Sequence, residues 1–159
     1  MDRTIDSLAE AVALVAQLRQ RGMRVVFTNG VFDLLHPGHV RYLQHARRLG
    51  DALIVAINSD RSARALDKGD DRPVNNEVER AEVVSALACV DATVIFDEDT
   101  PHAVVAALQP DVLVKGADWA PDMIVGADIV EARGGKVARI PLAAGYSTTN
   151  LIARIRRTP

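Results

Sequence analysis

The sequence predicts an α/β domain in which helices pack on both faces of a parallel sheet. Short β-branched runs alternate with helical segments along the 159 residues, and this alternation is typical of parallel strands joined by right-handed crossovers. The predicted strands lie at residues 25–27, 53–57, 93–96, 112–114 and 137–140. The expected architecture is a Rossmann-like three-layer sandwich with a five-stranded parallel sheet.

Apolar residues at helical spacing predict the helices between these strands. The first helix is expected over residues 5–20, and Gly22 can end it. Later helices are expected to begin near Gly38, at Pro101 and near Ser147. Because the chain shows no repeat and no linker-like segment, we expect a single domain over residues 1–159, with an N-terminal helix in 1–22 and the core of the domain in 24–156.

The composition argues against nucleic-acid binders, membrane proteins and disulfide-bonded proteins. Hydrophobic residues make up 48% of the chain and charged residues 25%, and the net charge is −2, so nothing favours a nucleic-acid or membrane binder. The sequence contains no apolar run long enough to span a membrane and no signal-peptide block at its N-terminus. Cys89 is the single cysteine, which excludes an internal disulfide and fits the expected cytoplasmic location.

The segment from Thr28 to His39, TNGVFDLLHPGH, carries the strongest indication of function. It follows the first predicted strand, and ligands bind parallel sheets at the carboxyl ends of their strands. Gly30 allows backbone to approach a ligand, and the helix that begins near Gly38 offers free N–H groups to an anion. His36 and His39 at that helix start can donate hydrogen bonds to phosphate and stabilise charge that develops during a reaction.

Other interpretations of the two histidines stay open at this point. Histidines three residues apart can bind a metal, although no carboxylate or cysteine nearby completes a ligand set. They can also cap or pack the helix without any chemistry. A dinucleotide site or a P-loop kinase site is disfavoured, because neither G-x-G-x-x-G nor G-x-x-x-x-G-K-[ST] is present.

The sequence His36-Pro37-Gly38-His39 resembles the H-x-G-H motif of the nucleotidyltransferase superfamily, which contains cytidylyltransferases and small adenylyltransferases. The resemblance extends over most of the chain through the segments 58–60, 71–75, 97–101, 110–116 and 147–150, which read NSD, DRPVN, DEDTP, PDVLVKG and STTN. This larger set is similar to one branch, the D-glycero-β-D-manno-heptose 1-phosphate adenylyltransferases. The resemblance implies transfer of AMP from ATP to a sugar 1-phosphate, which yields ADP-heptose and pyrophosphate for lipopolysaccharide core precursors. With no room for a sugar kinase, the chain resembles the stand-alone form of this enzyme.

The resemblance also implies the residues of the site. The catalytic residues would be His36, His39 and Lys68, with Lys68 closing over the phosphates from a mobile loop. Residues expected to bind the nucleotide are Thr28, Asn29, Gly30, Phe32, Gly38, Asn58, Lys115, Gly116, Asp118, Ser147, Thr148 and Thr149. Asp33, Arg72 and Trp119 would bind the sugar phosphate. Mg²⁺ is expected to arrive with ATP and to be held mostly by phosphates and water, and a homo-oligomer is expected.

Each of these assignments has an alternative without function. Asp33 can cap its loop, Lys68 can be a solvated surface lysine, Arg72 can pair with Asp70 or Glu77, Arg80 can pair with acids on an exposed helix face, Trp119 can pack, and Ser147 can be a plain helix cap. At the level of the protein, the alternatives are a glycerol-3-phosphate or other polyol-phosphate cytidylyltransferase and a nucleotide-sensing domain without turnover. Residues 142–146 carry no arginine, unlike many members of the superfamily, and the heptose branch commonly shares this departure.

Overall fold

A computed structural model describes residues 3–66 and 71–157 of the chain and has the predicted α/β fold. Its elements in chain order are β1 (Thr4–Ile5), α1 (Leu8–Gln20), β2 (Val25–Gly30), α2 (Pro37–Arg47), β3 (Ala52–Asn58), α3 (Asp60–Arg64), α4 (Glu77–Ser85), β4 (Ala92–Phe96), α5 (His102–Leu108), β5 (Val112–Gly116), α6 (Ala127–Ala132), β6 (Lys136–Ile140) and α7 (Thr148–Arg157), with a 3₁₀ turn at Pro121–Met123.

The strands form one parallel sheet in the order β1-β4-β3-β2-β5-β6. Val26 of β2 aligns with Leu53 of β3 on one side and with Val112 of β5 on the other. The strand order therefore reverses at β2, because the chain passes to β3 first and reaches β5 only later. Such a reversal opens a crevice at the carboxyl ends of the two diverging strands, which is where ligands bind in this class of sheet.

Two apolar clusters, one on each face of the sheet, produce the three layers. Phe27 and Ile54 belong to the cluster that packs against α1, α5 and α6. Val26 and Leu53, their neighbours in sequence, belong to the opposite cluster, which packs against α2 and α4. Both faces of the central strands are covered, which explains their nearly continuous apolar sequences. The predicted three-layer architecture is confirmed.

The described part of the chain has six strands where five were predicted. The additional strand is the two-residue β1, in which Thr4 aligns with Thr93 of β4 at the edge of the sheet. The first helix consequently begins at Leu8 and not at Ile5. Its first turn is capped by Ser7, whose hydroxyl accepts a hydrogen bond from the backbone N–H of Glu10 at 3.2 Å.

Candidate active site

The loop that follows β2 has an unusual backbone that lies at the strand-order reversal. Phe32 and Leu34 adopt left-handed conformations with φ of 49° and 48°, which side chains of this size rarely adopt. A Cβ on Gly30 would lie 2.9 Å from the ring of Phe32, so this ring packs where glycine leaves room. Backbone strain of this kind is concentrated at binding and catalytic sites.

His36 and His39 lie together at the start of α2, as predicted. Their rings are stacked with centroids 3.8 Å apart and planes inclined by 18°, and Phe32 meets the ring of His39 edge-on at 5.4 Å. His36 is the N-cap residue of the helix and Pro37 occupies its first turn. A Cβ on Gly38 would lie 2.9 Å from the ring of His36 and 3.0 Å from Cβ of Tyr146, so glycine is required for this packing.

The imidazole of His36 is partly buried and favours its neutral form. Burial is the main cause that lowers its pKa from the ordinary value of 6.5, which favours the neutral ring at neutral pH. Nδ1 of His36 is buried and has no hydrogen-bond partner among the residues that the structure describes. A groove of about 460 Å³ borders this histidine and is also lined by Pro37, Val40 and Arg41.

Asp33 is buried within the loop, and its carboxylate is hydrogen-bonded by other groups of the protein. Its side chain is 0% exposed, and its carboxylate accepts hydrogen bonds from Nε of Arg72 at 2.9 Å and from the backbone N–H groups of Val74 at 2.8 Å and Asn75 at 3.1 Å. Two of the residues predicted to bind the sugar phosphate, Asp33 and Arg72, are therefore paired with each other. Contact of Asp33 or Arg72 with a sugar phosphate stays a prediction.

The start of α7 joins the same loop. The hydroxyl of Thr148 donates a hydrogen bond to the backbone carbonyl of Asp33 at 2.7 Å. Ser147 caps the helix, since its hydroxyl accepts from the N–H of Asn150 at 3.0 Å, and Thr149 is exposed. The structure thus brings the 147–149 segment to the loop that leads to the two histidines, and the free N–H groups of this helix start favour an anion.

A second group of residues predicted to bind substrate lies at the end of β5. The ammonium of Lys115 donates a hydrogen bond to the side-chain oxygen of Asn29, and it lies 5.4 Å from the centroid of the Trp119 ring. Gly116 is buried at the last position of the strand, whereas Asp118 and Trp119 are exposed. Asp118 and Trp119 therefore form an accessible rim beside the end of β2, whereas Lys115 and Gly116 are buried behind it.

Two residues predicted to bind the nucleotide, Thr28 and Asn58, are buried and form hydrogen bonds within the protein. Thr28 is 0% exposed, and its hydroxyl donates to the carbonyl of Val114 at 3.0 Å and bonds to the hydroxyl of Tyr42 at 2.8 Å. Burial raises the pKa of Tyr42 to about 12. Asn58 is 3% exposed and donates to Ser62 at 2.9 Å. Both residues lie behind the surface of the site, where they hold strands and helices in position.

Arg80 is the main residue that sequence reasoning undervalued. The acidic residues around it in the sequence suggest an exposed ion pair, but Arg80 is 1% exposed. Its guanidinium donates to the carbonyls of Val31 at 2.6 Å, Asn58 at 2.8 Å and Asn75 at 3.0 Å, and to the carboxylate of Asp60 at 2.8 Å. One side chain thus ties together the segments that follow β2 and β3 and the segment that precedes α4.

The predicted residue Lys68 lies outside the described residues. Within residues 3–66 and 71–157, no three His, Cys, Asp or Glu side chains form a group suited to hold a metal ion. The same ranges contain no helix that is both long and apolar enough to cross a membrane.

Comparison with known proteins decides the family. The family model described as Cytidylyltransferase-like matches residues 27–154, a range that contains both histidines and the start of α7. The chain belongs to the cytidylyltransferase-like family. The predicted superfamily is therefore confirmed.

Similar proteins of known name match most of this chain. It is 53% identical over 155 residues to the bifunctional protein HldE of Geotalea uraniireducens and 58% identical over 137 residues to that of Syntrophotalea carbinolica. These matches include 98% and 86% of this chain but 31% and 28% of the relatives, so the chain spans about a third of their length. The crystal structure of the lipopolysaccharide core biosynthesis protein from Thermoplasma volcanium is also similar, with a TM-score of 0.64 and 31% identity over 77% of this chain and 98% of that one.

Proposed function

We propose that this protein is an adenylyltransferase that joins AMP from ATP to D-glycero-β-D-manno-heptose 1-phosphate. The observation that carries the proposal is the stacked pair of His36 and His39 at a helix start, within a chain of the cytidylyltransferase-like family. An oxygen of the sugar phosphate attacks the α-phosphorus of ATP, the bond from that phosphorus to the β-phosphate oxygen breaks, and pyrophosphate leaves. This step needs positioning and charge stabilisation more than covalent catalysis.

The two histidines would bind the triphosphate and stabilise the crowded α-phosphate. A preorganised N–H donor in a partly buried site stabilises developing negative charge strongly. The start of α7 would bind the β- and γ-phosphates through its N–H groups and hydroxyls. Lys115 and Trp119 are close enough to form one face of the nucleotide pocket.

The substrate assignment is supported by the relatives. The HldE proteins match nearly the whole chain at 53% and 58% identity, and the similar structure from T. volcanium is named for lipopolysaccharide core biosynthesis. ATP would enter as its magnesium complex, with the ion held mainly by phosphates and water. Cytoplasmic location and a homo-oligomeric state belong to the same proposal, and sedimentation of the purified protein would test the latter.

A matrix of substrates tests the proposed reaction. ATP and CTP are each combined with heptose 1-phosphate, another sugar 1-phosphate and glycerol 3-phosphate, and pyrophosphate release is measured with Mg²⁺ present. The proposal expects the highest kcat/KM for ATP with heptose 1-phosphate. Turnover confined to CTP and glycerol 3-phosphate would establish a cytidylyltransferase instead.

Binding without turnover would identify a nucleotide-sensing domain. Trp119 is the single tryptophan of the chain and is 44% exposed at the rim of the site, so its fluorescence should report ATP binding independently of pyrophosphate release. A change in fluorescence with no product for any pair of substrates would overturn the enzymatic proposal while retaining the binding site.

A further inference from the structure

A second cavity lies at the opposite end of the sheet from the candidate active site. Its volume is about 530 Å³, and its lining includes Met23 and Arg24 before β2, Asp111 before β5 and Gly135 before β6. The candidate active site lies at the carboxyl ends of the same strands. The two regions are therefore separated by the length of the sheet.

Positive charge predominates around this cavity. Arg19, Arg24 and Arg133 all line it, and among the described residues the one carboxylate in the lining is Asp111. One oxygen of Asp111 already accepts a hydrogen bond from the backbone N–H of Val25 at 2.8 Å. Three guanidinium groups against one partly engaged carboxylate leave an excess of positive charge, which attracts an anion.

The arginines retain N–H groups that the protein does not use. A guanidinium has five N–H donors. Nη2 of Arg19 donates to the carbonyls of Leu108, at 3.0 Å, and Gln109 at the end of α5, whereas its Nε is buried without a hydrogen-bond partner in the described part of the chain. Arg133 donates through Nη1 to the same carbonyl of Gln109. These bonds hold two guanidiniums at the cavity while several of their donors stay available.

We propose that this cavity binds a small anion that carries phosphate or carboxylate groups, independently of the candidate active site. The planar guanidinium matches both groups in geometry and charge. The volume also lies in the range of about 300–1,000 Å³ that is typical of small-molecule pockets.

Glycine amides can distinguish the two sites in a ¹H–¹⁵N NMR titration of the whole chain. Gly22 and Gly134 line the cavity, whereas Gly30 and Gly38 belong to the candidate active site. Pyrophosphate is titrated in one arm and citrate in the other, at constant ionic strength. The expected result is a saturable shift of Gly22 and Gly134 with at least one anion, and the arm that responds shows whether phosphate or carboxylate is preferred.

The variant Arg24→Ala tests the guanidinium directly, with Arg21→Ala as the matched control. Both arginines are exposed, but only Arg24 lines the cavity. Arg24→Ala should weaken anion affinity at Gly22 and Gly134 by about tenfold, and Arg21→Ala should leave it unchanged. Shifts confined to Gly30 and Gly38, shifts that do not saturate, or equal affinity in the two variants would overturn the proposal. Because nucleotidyl transfer does not enter this readout, its result is separate from that of the substrate matrix.

Discussion

Asp33 and Arg72 form an ion pair that is almost closed to solvent. Nε of Arg72 lies 2.9 Å from Oδ2 of Asp33, and the two side chains are 11% and 0% exposed. The same carboxylate accepts from two backbone N–H groups, and the carbonyl of the same residue accepts from Thr148. Asp33 is therefore the point at which the loop after β2, the segment before α4 and the start of α7 are joined.

The substitution Asp33→Asn should destabilise the protein by about 3 kcal/mol, because it leaves a buried guanidinium without its opposite charge. Urea denaturation followed by circular dichroism measures the loss. Asp71→Asn is the matched control, since Asp71 pairs with Arg156 and their side chains are 55% and 68% exposed. This exposed pair should contribute less than about 1 kcal/mol. Equal losses in the two variants would contradict the structural role of Asp33.

His39→Ala should lower kcat for pyrophosphate release by about 100-fold or more, the scale on which loss of one preorganised donor acts. His45→Ala provides the control, because His45 lies on the same helix α2 and is exposed. Its kcat should remain that of the parent protein. If both variants keep the parental kcat, His39 has no catalytic role.

The substitution Gly38→Ala should lower kcat while leaving the melting temperature nearly unchanged. The new Cβ would lie 2.9 Å from the ring of His36, so the ring must move, and small displacements at a reacting centre cost about 10- to 100-fold in rate. Alanine also favours the helix more than glycine does, so the melting temperature should not fall much. A variant with parental kcat would show that the position of His36 is not critical, whereas a variant that unfolds early would indicate a purely structural requirement for glycine.

The pH dependence of stability should include a contribution from His36. Burial lowers its pKa below 6.5 in the folded protein, so the unfolded chain binds the proton more tightly. Stability is therefore highest above pH 6.5 and falls as the pH drops from that value through the lower pKa of the folded state. Denaturation between about pH 7.5 and about pH 5.5 should show a smaller loss in His36→Gln than in the parent. An NMR titration midpoint of the His36 ring at or above 6.5 would refute this expectation.

Most of the fold could be predicted because the central strands are buried on both faces. Residues such as Ile54 and Val55 are apolar in succession, a pattern that identifies a covered parallel strand without further information. The edge strand β1 gives no such indication, since Thr4 and Ile5 are two residues whose pairing with β4 depends on the tertiary fold. Their apolar member was therefore assigned to the helix that begins three residues later.

The candidate site could be predicted in part from its motif, because H-x-G-H specifies residue types at fixed spacing. The burial of Arg80 was missed, since Glu77, Glu79 and Glu82 suggest a solvated helix face. A useful indication was present: Arg80 lies four residues before the buried Val84 and therefore on the same face of α4. The pairing of Asp33 with Arg72 could not be predicted, because 39 residues separate them and only the folded chain brings them together.

The backbone bonds to Asp33 have a consequence for local motion. The amide protons of Val74 and Asn75 both point at one carboxylate, so neither can be replaced by deuterium from the solvent until that carboxylate withdraws. Their protection factors should therefore be similar, because a single opening equilibrium governs both. A ligand that raises both protection factors together would thereby reveal that it tightens the loop after β2, even if it never contacts residues 74 and 75.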